Sequence, residues 1–190
     1  MAIIKLDNDT NYIVSGLERS GTSMLMQIIA AGEIPCAFDE TRIADKDNPK
    51  GYYELEGGKI INKIINGAFS FEKYKGKFIK ITSYGLNFLP KGKYKIIYSE
   101  RNIEEIMHSS EKMTGKKDEK RTQTKKSLIK LNNMIKKKLK EKKEINVLFL
   151  NYNKILANPK NNIKKILTFL NLPADNLKKM VEVVDIRLSE

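Results

Sequence analysis

"YIVSGLERSGTSMLMQIIAAG", Tyr12 to Gly32, decides how the rest of the chain is read. Tyr12 to Ser15 reads as a buried strand, and Ser20 to Ala31 as the helix after it, closed by Gly32. Gly16 and Gly21 bracket the tight turn between them. Strand, turn and helix make a phosphate-binding loop of the form G-x-x-x-x-G-K-[ST], with one departure. Thr22 stands where an ATP-binding loop has its lysine, and the positive charge lies three positions upstream, at Arg19. The amides from Ser20 to Ser23 would face one anionic group, aided by the positive end of the helix. Thr22 and Ser23 add hydroxyl donors, and Arg19 adds a planar donor fork suited to phosphate or sulfate oxygens. An anion site survives the loss of the lysine.

Outward from this stretch, strands alternate with helices. "KFIKIT" (Lys77 to Thr82), "YKIIYS" (Tyr94 to Ser99) and "INVLFL" (Ile145 to Leu150) read as strands. A helix is expected over Ile60 to Phe69, and another from Ile103 to about Met113, capped by Asn102 with Glu104 and Glu105 in its first turn. Asn158-Pro159 opens a third, whose Ile163, Ile166, Leu167 and Leu170 form an inward stripe. Residues 33 to 58 show no periodicity and read as loop with short helical pieces. The pattern predicts one α/β domain over residues 1–190, three-layered and P-loop NTPase-like, with a central parallel sheet flanked by helices.

The net charge of +13 is local: Lys112 to Lys143 holds fourteen Lys/Arg and three Asp/Glu, and so carries +11 of it. Within residues 111–143, a basic helical or lid segment, Leu128, Leu131, Ile135 and Leu139 recur on one face, which predicts that this face packs inward and the lysines project outward. A single cysteine, Cys36, allows no internal disulfide and fits a reducing compartment. No apolar run is long enough to span a bilayer, and "MAIIKLDNDTNY" lacks the pattern of a secretory signal. A soluble, cytoplasmic protein is expected. The lone His108 and the absence of a His/Cys/carboxylate cluster agree with a chemistry that needs no metal.

"GLERSGTSML" resembles the 5′-phosphosulfate loop of the sulfotransferase family, in which Arg or Lys precedes Ser-Gly-Thr-Thr/Ser. "KIIYSERNIEEIMHSS" is similar to the family's 3′-phosphate segment: a strand, an Arg, then a helix with Ser eight residues on, here Arg101 and Ser109. "FLNYNKILANPKNNIKKILTFLNLP" resembles the tyrosine strand, Asn-Pro and helix near the family's C-terminus, and places Tyr152. Arg101 would in any case follow a buried strand at the C-terminal edge of the sheet, where open α/β sheets bind ligands.

The resemblance implies transfer of a sulfuryl group from 3′-phosphoadenosine-5′-phosphosulfate (PAPS), leaving 3′-phosphoadenosine-5′-phosphate (PAP), to a hydroxyl or amine by in-line displacement. It assigns Arg19 to the leaving group, Ser20, Gly21, Thr22 and Ser23 to the 5′ end, and Arg101, Ser109 and Tyr152 to the 3′ end. Where some members have a histidine base after the second strand, this chain has "KITSYG". The implied base is an acidic residue of "CAFDETR", Asp39 in preference to Glu40. "DNPKGYYELE" resembles a segment of bacterial relatives and implies an acceptor pocket lined by Tyr52, Tyr53 and Glu54. His108 is expected to be a bystander.

Two departures stand out. Asn153 replaces the glutamate that usually follows the late tyrosine, and the C-terminal Arg-Lys-Gly closure is reduced to Arg187, for which lysines between 112 and 126 could substitute. A small-molecule or glycan acceptor is expected, with carbohydrate, lipid head group, small alcohol and peptide tyrosine all open, as is an oligomer that completes the pocket. Two rivals remain: a P-loop kinase, which lacks its lysine, and a basic nucleic-acid-binding protein, disfavoured because no aromatics interleave with the lysines.

Overall fold

The computed structural model describes residues 4–45 and 48–184. Its strands are β1 (Thr10–Gly16), β2 (Phe78–Lys80), β3 (Lys93–Glu100) and β4 (Ile145–Asn151), all parallel in the order β2-β1-β3-β4. The helices are α1 (Thr22–Ala31), α2 (Ile60–Ile65), α3 (Ile103–Thr114), α4 (Arg121–Glu141), α5 (Tyr152–Ala157), α6 (Pro159–Leu170) and α7 (Leu177–Glu182).

Period-two alternation sends each strand's side chains into two separate cores. Tyr12, Val14, Phe78 and Ile97 join α1, α6 and α7 on one face. Ile13, Ile79, Ile96 and Tyr98 meet α2 and the C-terminal half of α4 on the other. Every residue of β1 is buried, as a central strand covered on both faces requires. The fold is thus three-layered α/β, as expected. Helix caps fall where short polar side chains stand: Asn102 accepts from the Glu104 amide at 2.8 Å, and Asn151 accepts from the Lys154 amide at 3.0 Å.

Several expected elements change at their ends. The first helix starts at Thr22 rather than Ser20, because Gly21 is left-handed at φ 92°. The helix expected to run to Phe69 stops at Ile65, and the second strand shortens to three residues. The stripe on α4 holds at three of its four positions: Ile135 and Leu139 are buried and Leu131 packs, partly buried, against the same core, whereas Leu128 lies beyond it. Leu128 and the outer side of Leu131 line a shallow surface groove with Lys120 and Gln123.

The helix after β1 packs on one face of the sheet, and α4, which follows β3 and α3, packs on the other. The C-terminal ends of β1 and β3 therefore bound a crevice at a topological switch point, the usual ligand position in such sheets.

Candidate active site

A cavity of 1480 Å³ opens at that crevice. Its walls come from the turn after β1, the end of β2, the start of α3, the start of α5 and the loop before α2.

Arg19 occupies the turn with a left-handed backbone, φ 64°, which costs a side-chain-bearing residue about 1–2 kcal/mol. Its Nε donates to Ser109 Oγ on α3 at 3.0 Å. Arg101, at the end of β3, donates from Nη1 to the Arg19 carbonyl at 3.1 Å and from Nε to Glu105 Oε2 at 3.0 Å. The guanidinium carbon of Arg101 also lies 4.4 Å from the centroid of the Tyr152 ring, a cation–π contact. Both arginines and Ser109 therefore belong to one wall of one cavity.

Gly21 is required by contact as well as by its left-handed backbone. A Cβ there would lie 2.2 Å from the Tyr152 ring. Past it, the first intrahelical bond runs from the Leu25 amide to the Gly21 carbonyl at 3.2 Å, so the amides of Thr22 and Ser23 precede the helical ladder at the cavity wall. Ser20 does not line the cavity. It is buried, and its carbonyl accepts from the Ser99 hydroxyl, which ties the turn to β3.

Asn153, the departure from the tyrosine-glutamate pair, donates to Glu105 Oε1 at 2.8 Å. The same carboxylate holds Arg101, so an amide here braces the arginine's partner where a glutamate would repel it. Lys112 and Arg121 reach the cavity wall from the basic segment, with Arg121 Nη2 2.7 Å from Glu104. His108 lines the wall as well, exposed. Arg187 and Asp47 lie outside the described residues.

The opposite wall holds a group that sequence reasoning missed. Lys80, the last residue of β2, is buried, yet all three of its ammonium donors are placed. They reach Ser23 Oγ at 3.0 Å, the Tyr52 carbonyl at 2.6 Å and Glu54 Oε1 at 2.9 Å. Burial lowers the pKa of Lys80 below the usual lysine value, opposed by Glu54 and reinforced by Arg42 and Arg19. Glu54 Oε2 is also 3.2 Å from Arg42 Nη1, and the Arg42 guanidinium lies 3.4 Å over the Tyr52 ring. The signal for Lys80 was a lysine between Ile79 and Ile81 at the carboxyl end of a parallel strand.

The acidic residues implied as base sit elsewhere. Asp39 does not line the cavity: it accepts from the Thr41 amide at 2.9 Å and the Glu56 amide at 2.6 Å. The hydrogen bonds from Thr41 and then Glu56 hold its carboxyl below the ordinary range. Glu40 is exposed and also off the wall. Of the three implied acceptor residues, Tyr52 and Glu54 line the cavity. Tyr53 turns away to pack on Phe38, ring centroids 4.7 Å apart.

A parallel sheet ending in a cationic, glycine-bracketed loop defines an α/β protein of the P-loop-like class. The chain belongs to the sulfotransferase family: the Sulfotransferase domain matches residues 9–187. Among solved structures it is similar to the sulfotransferase domain of the Synechococcus PCC 7002 olefin synthase (TM-score 0.56, 12% identity, covering 97% of this chain and 87% of that one). It is also similar to mouse sulfotransferase SULT7A1 complexed with PAP (TM-score 0.54, 17% identity, 97% of this chain). The chain spans 64% of the mouse enzyme's length. A third likeness is the sulfotransferase domain from the curacin biosynthetic pathway (TM-score 0.50, 12% identity, 91% and 77%). No curated protein matches in sequence. No helix among the described residues is long and apolar enough to cross a membrane.

Proposed function

We propose that this protein transfers a sulfuryl group from PAPS to a hydroxyl or amine acceptor, with Lys80 and Glu54 at the point of transfer. One observation carries the reading. The two arginines, the glycine turn and the buried Lys80–Glu54 pair face a single cavity, and Ser23 Oγ joins the loop directly to Lys80. The residues present fit such a donor: two guanidinium groups, the amides of the α1 start and a glycine backbone at the cavity wall.

When bound, the donor supplies a sulfur whose bond to the phosphate oxygen breaks as a bond to the acceptor atom forms. Arg19 and the Thr22 and Ser23 amides are aimed where negative charge grows on the leaving oxygen, an interaction that strengthens along the reaction. Arg101 and Ser109 hold the 3′-phosphate and so fix the register. Lys80 would meet the sulfuryl oxygens, and Glu54 would take the acceptor's proton. A bound anion would compete with Glu54 for the Lys80 ammonium and so loosen its hold on Glu54 Oε1, while Oε2 stays with Arg42. Asp39, with its oxygens given to backbone amides, shapes the loop that presents Glu54.

PAP should raise the melting temperature clearly, and ATP with Mg²⁺ much less. Labelled donor should yield sulfated product, and Arg19→Ala should abolish it. Equal thermal shifts from both nucleotides, with no transfer to any acceptor, would overturn the assignment.

A further inference from the structure

The acceptor end of the cavity is more cationic than the transfer chemistry requires. The loop before α2 and the end of β2 bring Arg42, Lys59 and Lys80 to the wall, against the carboxylates of Glu54 and, on the donor loop, Glu18. Arg42, Lys59 and Glu18 are all exposed at the mouth. Two glycines assemble this group. A Cβ on Gly57 would meet the Arg42 side chain at 3.9 Å, and one on Gly58 would meet the Glu54 carboxylate at 3.1 Å. Lys59 follows next in the chain, exposed, and Asn62 stands three residues on along α2, also at the wall. Lys80 is consumed by Ser23, Tyr52 and Glu54, and one nitrogen of Arg42 by Glu54. The Tyr52 ring covers a flat face of the Arg42 guanidinium.

Resting on the sulfotransferase reading, we infer that the acceptor is an anionic alcohol or amine. Its carboxylate or phosphate lies between Arg42 and Lys59 while its accepting atom lies against Glu54. Three cations against two carboxylates leave a surplus positive charge at the cavity mouth, which draws an anion in. A neutral analogue gains none of that attraction. The separation of roles is built in: Lys80 and Glu54 act at the reacting atom, and Arg42 and Lys59 read the remainder of the molecule.

The test uses the full chain loaded with PAP and two matched pairs of probes, 4-hydroxybenzoate with its methyl ester and glycerol 3-phosphate with glycerol. In each pair the charged member should bind at least about 10-fold more tightly by calorimetry, the size of one charge-assisted hydrogen bond. Whichever pair shows the larger ratio names carboxylate or phosphate as the group read. Lys59→Glu should erase the preference while the affinity for PAP itself stays within about twofold, since Lys59 comes from the opposite wall to Arg101. Equal binding of charged and neutral members, or a preference that survives Lys59→Glu, overturns the inference and leaves the transferase reading standing. Absence of any PAP binding overturns the transferase reading and this inference with it.

Discussion

The two ends of the cavity are built in different ways. At the donor end, Arg19, Gly21, Arg101 and Tyr152 sit at the termini of strands and helices, where the sheet fixes their positions. At the acceptor end, Arg42, Glu54 and Lys59 hang on a long loop whose backbone turns left-handed at Tyr53, Glu56, Gly57 and Gly58. The first end is gathered by the sheet from the ends of three strands; the second comes largely from one loop, held by ion pairs and a carboxylate cap. A site with a fixed donor cradle and a loop-built acceptor wall can change what it sulfates without disturbing how it binds the donor.

The sharpest way to break this contrast is at the buried pair. Glu54→Gln should lower kcat by about 10²–10⁴-fold with unchanged PAP affinity, while Asp39→Asn and Glu40→Gln stay within about threefold. Loss of activity in Asp39→Asn with Glu54→Gln active would move the base back to the sequence-based choice. Lys80→Met should cost about 10²–10³-fold in kcat. Because burial lowers the Lys80 pKa below 10.5, the wild-type rate should fall as pH rises through a value under 10.5, and Lys80→Arg should remove that limb.

A smaller effect is expected at the donor end, and in binding rather than rate. Arg101→Ala should weaken PAP by about 10–100-fold, read by calorimetry, with kcat at saturating donor nearly kept. Smaller again is Gly21→Ala, which strains a left-handed turn and pushes a methyl into the Tyr152 ring. Its melting temperature should fall by about 3–8 °C. The smallest effect concerns Asp39. Its depressed pKa means that its stabilisation is present above the unfolded value near 3.8 and is lost as pH falls through the lower folded value. Asp39→Asn should therefore melt slightly earlier than wild type at neutral pH, and the gap should close below about pH 3.8.

Much of the donor end was legible because its residues are local. Gly16 to Ser23 is one turn, and Arg101 with Ser109 is one strand end and two helical turns. Glu54 and Lys80 are 26 residues apart, and nothing periodic links them. Lys80 was hidden by its setting, a charged residue inside an apolar strand pattern, where a buried and paired lysine leaves no signature beyond being out of place. Asp39 lies in the acidic stretch that the family resemblance points to, but an aspartate in a turn also accepts backbone amides, and here both of its oxygens do so. The amphipathic stripe on α4 fades toward its start for a tertiary reason: Ile135 and Leu139 meet β3 and β4 side chains and Leu131 packs on the edge of that core, while Leu128 lies beyond it.

Tyr152 touches both the glycine of the turn and the guanidinium at the end of β3. Its aromatic plate is thus a common footing for the turn and the arginine, which are also joined directly through the Arg19 carbonyl. Trimming that footing to leucine would open a hollow beneath both at once, so one substitution would loosen two pieces of the wall that lie far apart along the chain.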